Sequence, residues 1–376
     1  MPMIAPVQTA VAAFVGWFPD GPMNRAVEVE SFADVDRLFG GLHADSEASF
    51  GLWQFFRNGG TRSWVVGTGV GEDAVESGMS ALNGTDFTLL CLPRIVVNAL
   101  EYCREKRALL LLDPPANLSD PVELVAWLDA NGSLRDDHVA MYYPRVTVAD
   151  PTREGRPRSV GPSGTIAGLM SATDLAHGVW TAPAGTEAVL QGTARLDHAV
   201  SDQDAAALNA AGVNCLRTLP GYGPVCWGAR TLIGPGPESA PSPYRYVPVR
   251  RLANFIGSSV TAGLAWTASE PNGETLWSAV RHSVEPFMRD LYEQGAFAGT
   301  VPGDAYYVRC DATTMTAADR HRGVVSGVVA FAPLRPQEFV TLRFEHRVGS
   351  PATDALAADA AQARPSQPAI AARSAD

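Results

Sequence analysis

Lysine is all but missing from this chain. Lys106 is the only one among 376 residues, and Arg supplies nearly all the positive charge. Arg suits planar pairing between protein surfaces better than Lys does, although a GC-rich coding bias gives the same composition. Charge is sparse altogether, 18% of residues against 46% hydrophobic, which leaves little for a freely solvated surface and hints at much subunit contact. What charge there is sums to −11, so the molecule's field repels nucleic acid and anionic lipid, and neither is expected as a partner. No apolar run reaches the ~20 residues of a membrane span, and the first residues lack the basic-then-apolar order of a secretory signal. Cytoplasmic assembly without a membrane partner is the expectation. Five Cys (Cys91, Cys103, Cys215, Cys226, Cys310) are odd in number and widely spaced, which argues for reduced packing residues and against a disulfide framework.

What is present alternates. Residues 7–18, carrying Val7, Val11 and Phe14, read as a buried strand stopped at Pro19-Asp20-Gly21-Pro22. Ser31 then caps a helix whose Phe32, Val35, Leu38 and Phe39 share a face before Gly40-Gly41, and a second helix from Glu47 carries Phe50, Trp53 and Phe56 inward. Strands at 63–66, 87–92, 108–112 and 139–143 interleave with helices at 97–106 and 122–128, a pattern that predicts an α/β (α+β) fold with mixed, largely parallel sheets covered by helices. A charged, proline-bearing stretch over 150–162 reads as an exposed loop. Ser163 and Ser201 open further helices, and strands follow at 213–219 and 225–232. Four Pro within 234–243 mark the best domain boundary. Beyond it come helices at 249–262 and 274–294, the second with Pro286 inside it. Strands at 306–310, 324–332 and 338–348 follow, and an Ala/Ser/Pro-rich stretch over 350–376 is expected to be a disordered tail.

Several segments together resemble the contractile tail sheath family of phages, R-type bacteriocins and extracellular injection systems. They are VAAFVGWFPDGPMNRAVEVESFADVDRLFGG with FFRNGGTRSWVV, then GTIAGLMSATDLAHGVWTAPAG with LNAAGVNCLRTLPGYGPVCWGARTL. YVPVRRLANFIGSSVTAGLAW, EPNGETLWSAVRHSVEPFMRDLYEQGAFAG, YYVRCDATTMT and APLRPQEFVTLRFE complete the set. The resemblance implies an N-terminal sheath region (1–86) packed with the C-terminal domain, and a central subtilisin-like, non-catalytic domain (87–243). A C-terminal sheath domain (244–349) with an exchangeable strand would follow. It also implies a structural protein needing no cofactor, which stacks with itself as hexameric rings on an inner tube, contracts to drive that tube into a target, and meets baseplate and terminator or cap proteins.

Two surfaces carry the expected contacts. In 339–348, Phe339, Thr341, Arg343 and Glu345 alternate with Val340, Leu342, Phe344 and His346, ending at Val348, and Pro333 and Pro336 upstream disfavour a tight hairpin that would keep this strand at home. In the family, terminal strands add to a neighbour's sheet. Only six residues precede Val7, too few at about 3.3 Å each to reach far into a neighbour, so the C-terminal strand is expected to carry most of the linkage. Arg281, His282 and Arg289 lie opposite the apolar stripe of the 274–294 helix. They are either a solvated face or, as the resemblance implies, the contact with an acidic tube.

Enzymatic readings fit less well. Gly67-Thr68-Gly69-Val70-Gly71 follows a strand, but Glu72 stands where a dinucleotide loop needs its third Gly, and no helix is evident there. Gly161 to Thr165 opens a helix without the Lys of a phosphate loop. A hydrolase of related fold is the natural rival, yet none of His43, His138, His177, His198, His282, His321 or His346 lies in a triad motif, and HExxH and CxxC spacings are absent. A sheath-like adaptor or cap at the baseplate or terminator end is the remaining alternative.

Overall fold

Strands that are apolar on both faces survive only where helices cover both sides of their sheet. β1 (Ala12–Gly16), β4 (Leu89–Leu92), β5 (Leu109–Leu112) and β6 (Val139–Tyr143) hold no charged residue, and all four are wholly buried. In the computed structural model, which describes residues 3–96, 98–234, 242–335 and 339–348, they lie side by side as parallel strands. β2 (Ala26–Val29) and β3 (Ser63–Gly67) extend one side of this sheet, and β10 (Asn214–Leu219) and β11 (Gly223–Cys226) extend the other. The order is β11-β10-β6-β5-β4-β1-β3-β2, antiparallel only at its two outermost pairs.

The period of two along these strands sorts the core. Ala12, Phe14, Leu89, Cys91, Leu109 and Leu111 face one cluster, under α2 (Glu47–Arg57) and α6 (Ser163–His177), with α1 (Phe32–Phe39) nearby. Ala13, Val15, Leu90, Leu92, Leu110 and Leu112 face the other. That second face lies under α3 (Glu72–Met79), α4 (Ala99–Lys106), α5 (Pro121–Ala130) and α7 (Asp202–Ala210). α2 and α6 approach closely because glycines line the crossing: a Cβ on Gly164 would lie 2.0 Å from the Gly51 carbonyl oxygen, and one on Gly168 2.4 Å from that of Phe55.

Beyond residue 242 a second core forms around α8 (Val247–Gly263) and α9 (Glu274–Glu293). α10 (Pro302–Ala305) leads into a three-stranded antiparallel sheet of β12 (Tyr306–Arg309), β13 (Val324–Phe331) and β14 (Val340–Arg347), with α11 (Ala317–His321) between the first two strands. The buried Arg251–Asp174 pair, with two bonds of 2.8 and 2.6 Å, fastens α8 to α6.

Four expectations differ from what is found. The N-terminal strand begins at Ala12, after Ala10 takes a left-handed φ of 53°, so Val7 and Val11 precede it. β1, β2 and β3 belong to the same sheet as the central strands, so residue 86 divides no sheet. From this region it is Ile4 and Val7 that reach the second core, where the Val7 N–H donates to Ser259 Oγ at 3.1 Å. The stretch 150–162 is largely a hairpin of β7 (Val146–Asp150) and β8 (Arg156–Val160), joined by β9 (Arg195–Leu196), because Asp150 is buried and satisfied by Thr152 and Arg158. The strand expected over 225–232 stops at Cys226, since Asn214 takes both backbone groups of Arg230 with its side chain. The expected tail over 350–376 and residues 235–241 of the expected boundary lie outside the described residues.

Candidate inter-subunit surface

β14 is an edge strand at home on its own sheet. It pairs with β13 over eight residues, from Val340 opposite Phe331 to Arg347 opposite Val324, and the Val348 N–H adds a bond of 2.7 Å to the Gly323 carbonyl. The prolines upstream were expected to disfavour a tight hairpin, and the two strands pair without one. The connector is long enough for Pro333 to bridge to Phe297 before the chain turns back, while Pro336 is outside the described residues. Side chains alternate as the sequence suggests. Val340 and Phe344 are buried, Leu342 is half-buried, and Thr341, Arg343, Glu345 and Arg347 alternate with them on the outer face. Gly327 makes room for Phe344, since a Cβ there would come within 2.1 Å of the ring.

The backbone carries the more informative alternation. Because Val348 donates to Gly323, the antiparallel ladder turns the N–H and C=O of Val340, Leu342, Phe344 and His346 toward β13. It turns those of Thr341, Arg343, Glu345 and Arg347 away from β13, to an edge that no strand covers among the described residues. Phe339, just before the strand, is 44% exposed and packs on Tyr307 with ring centroids 5.9 Å apart. Arg343 pairs with Glu345 at 3.3 Å and reaches the Thr314 carbonyl at 3.2 Å.

The N-terminal candidates lie elsewhere. Phe14 is buried in β1, 5.7 Å from the Phe55 ring, and β1 has parallel partners on both sides, so it offers no free edge. Val11 donates to Thr88 Oγ1 at 3.1 Å, and Val7 rests on α8.

On α9 the apolar stripe of Leu276, Val280, Val284, Phe287 and Leu291 is buried as its spacing requires. The opposite face is mixed in charge. Arg281 bonds the Cys310 carbonyl, the His282 ring folds back on the Ser278 carbonyl at 2.7 Å, and Arg289 stands exposed among Glu285, Asp290 and Glu293.

Groups with chemical potential are held in structural roles. The Ser163 hydroxyl donates to Asp113 Oδ2 at 2.8 Å and its N–H to Oδ1 at 2.7 Å, which fixes the start of α6. Burial pushes the Asp113 carboxyl up to about 6 against the pull of Arg145. The arrangement has a serine and a carboxylate but no base between them, so it lacks the relay a nucleophilic serine requires. All five cysteines are buried free thiols, and burial raises their pKa, to about 11 for Cys215 and about 12 for Cys226 and Cys310. A helix does start after the glycine loop, α3 at Glu72, with Gly71 at φ 125° just before it. Sequence reading missed it because Glu, Asp and Gly dilute its apolar face. Asp136, Asp137 and His138 could converge on a cation, yet Arg104 and Arg250 already engage both carboxylates.

Comparison with known proteins gives this surface its context. Residues 68–232 match the family model described as the phage tail sheath protein central domain. A prophage major tail sheath protein of Pseudomonas aeruginosa (strain UCBPP-PA14) is 28% identical over 290 residues, which are 75% of this chain and 70% of that protein. The tail sheath protein of Enterobacteria phage T4 is 22% identical over 329 residues, 84% of this chain but only 47% of the phage protein. Among solved structures, the anti-feeding prophage helical sheath in its contracted state superposes with a TM-score of 0.73 at 29% identity, covering 90% of this chain and 94% of that one. The PVC sheath complex of an extracellular contractile injection system, also contracted, gives a TM-score of 0.74 at 26% identity, with 90% and 92% covered. Residues 68–232 thus carry the central domain of a phage tail sheath protein, and the relatives and solved structures that are similar over most of this chain are structural sheath proteins.

Proposed function

We propose that this chain stacks as hexameric rings around an inner tube and shortens to drive that tube forward, with neighbouring copies linked through the free edge of β14. The observation that carries this reading is the row of outward backbone groups at Thr341, Arg343, Glu345 and Arg347. An uncovered edge of this length is a hazard for a protein meant to stay alone, and a template for one meant to polymerise. The large sheet, buried on both faces, gives a body stiff enough to rotate as a unit, while a link made of one ladder can turn without breaking. Assembly takes place in the cytoplasm, and baseplate and terminator proteins close the two ends. α9 turns toward the tube and presents the exposed Arg289, which stands beside the Tyr306 hydroxyl; Arg281 serves the fold by holding Cys310.

Proline tests the linkage without touching the core. At Thr341 or Glu345 it removes only an outward N–H, so β14 keeps its bonds to β13. Thr341→Pro/Glu345→Pro is expected to remain folded as a monomer and to form no striated cylinders in negative-stain images, where the unmodified chain forms them. Normal cylinders from the double variant would refute the edge linkage. Discs alone from the unmodified chain would assign it to an adaptor or cap at the end of the sheath.

A further inference from the structure

A cleft of about 480 Å³ opens between the two cores, beside β14. Its walls come from α4, the segment Asp136 to His138, α8, and the strand residues Thr341 to Phe344. Four arginines line it. Arg104 pairs with Asp136, Arg250 with Asp137 at 2.9 Å and Arg343 with Glu345 at 3.3 Å. The fourth, Arg107, has no carboxylate partner among the described residues. It ends α4 in a left-handed conformation (φ 51°) and lies across α8 at Gly257, where a Cβ would stand 3.2 Å from its Nε. Among the described residues its one side-chain hydrogen bond is to Thr261 Oγ1, at 3.3 Å.

A half-buried guanidinium bonded only to a neutral hydroxyl is poorly compensated, and burial alone pulls the Arg107 pKa below its ordinary value, with no acidic neighbour raising it. In an isolated chain the water in the cleft solvates it. An assembly that displaced that water would leave the charge in need of an anion. Copies of this chain are rich in that anion, with 40 Asp and Glu against 29 Lys and Arg. The cleft also adjoins the strand edge through which copies are read to join.

We propose that this cleft receives an acidic side chain from a second copy of the chain, whose carboxylate pairs with Arg107. The pairing rests on the sheath reading above, and it makes Arg107 a group that is unfavourable in the monomer and satisfied in the polymer. The test is Arg107→Met, which keeps the stem over Gly257 and removes the charge. The monomer is expected to melt at or above the temperature of the unmodified chain. The critical concentration for cylinder formation, read by sedimentation, should rise about 30-fold or more, as for loss of one partner of a desolvated charge pair. As a second reading, glutarate at millimolar concentration should raise the melting temperature of the unmodified monomer and leave Arg107→Met unchanged. An Arg107→Met monomer that melts lower yet assembles at the unmodified concentration would overturn the proposal and leave Arg107 as a latch between the two cores. If the unmodified chain forms no polymer while the glutarate response persists, the sheath reading and the second copy as occupant fall together.

Discussion

Replacing Asp113 by Asn removes a charge while keeping a hydrogen-bonding shape. The amide oxygen can accept from the Ser163 N–H and the amide nitrogen can donate to Ser163 Oγ, so the start of α6 stays fixed. Asn thus mimics the protonated aspartic acid. The Asp113 carboxyl is raised from 3.8 to about 6 in the folded chain, so between these values the folded state holds a proton that the unfolded state has released. Stability contributed by this group is therefore highest below pH 4, falls as pH rises toward 6, and is level above. A shift of this size bounds the penalty for the ionised form at about 3 kcal/mol, and the partial exposure of the residue discounts it to about 1–2 kcal/mol. Asp113→Asn should match the unmodified monomer near pH 4 and exceed it by that amount at pH 7. Denaturant midpoints measured from pH 3.5 to 7.5 give the difference directly, and other carboxylates cancel because both proteins carry them. A difference that is flat across this range, or that turns against the variant at pH 7, would refute the reasoning.

Two further outcomes concern the packing that makes the body rigid. Gly168→Ala gains about 1 kcal/mol of helix propensity but sets a methyl 2.4 Å from the Phe55 carbonyl oxygen and 2.8 Å from Asn58 Cβ. The crossing of α2 and α6 must open, and a net loss of about 1–2 kcal/mol is expected in chemical denaturation. Arg251→Met strands Asp174, whose side chain is only 5% exposed, and should cost about 3–5 kcal/mol, whereas adding Asp174→Leu should recover most of it. A double-mutant cycle that yields no coupling between the two would remove the pair as the fastening between α6 and α8.

Local chemistry was legible wherever a residue acts on its near neighbours. Ser31 caps α1 and Gly40 ends it at φ 76°, while Ser201 with Asp204 forms a capping box, because each motif closes within one helical turn. The hairpin of β7 and β8 escaped because its charged residues look solvated until Arg158 is seen to reach Asp150. Arg281 looked like a free cation for the same reason: a long side chain can turn to a distant carbonyl, and spacing along a helix does not reveal it.

Composition and periodicity by themselves determined that the apolar strands must be interior and that helices must flank them, since such strands cannot tolerate water on either face. They also determined which face of α9 is buried and which residues of β14 point inward. Only the tertiary structure decided the strand order, which placed β1 in the middle of a sheet and left β14 with an open edge. It alone joined Asp113 to Ser163 across 50 positions and Arg251 to Asp174 across 77, and left Arg107 with a hydroxyl for company. The reason is physical. Burial and capping are set by a residue's own chemistry and its nearest turns, whereas edges, clefts and unpaired charges are set by which distant segments come to lie beside each other.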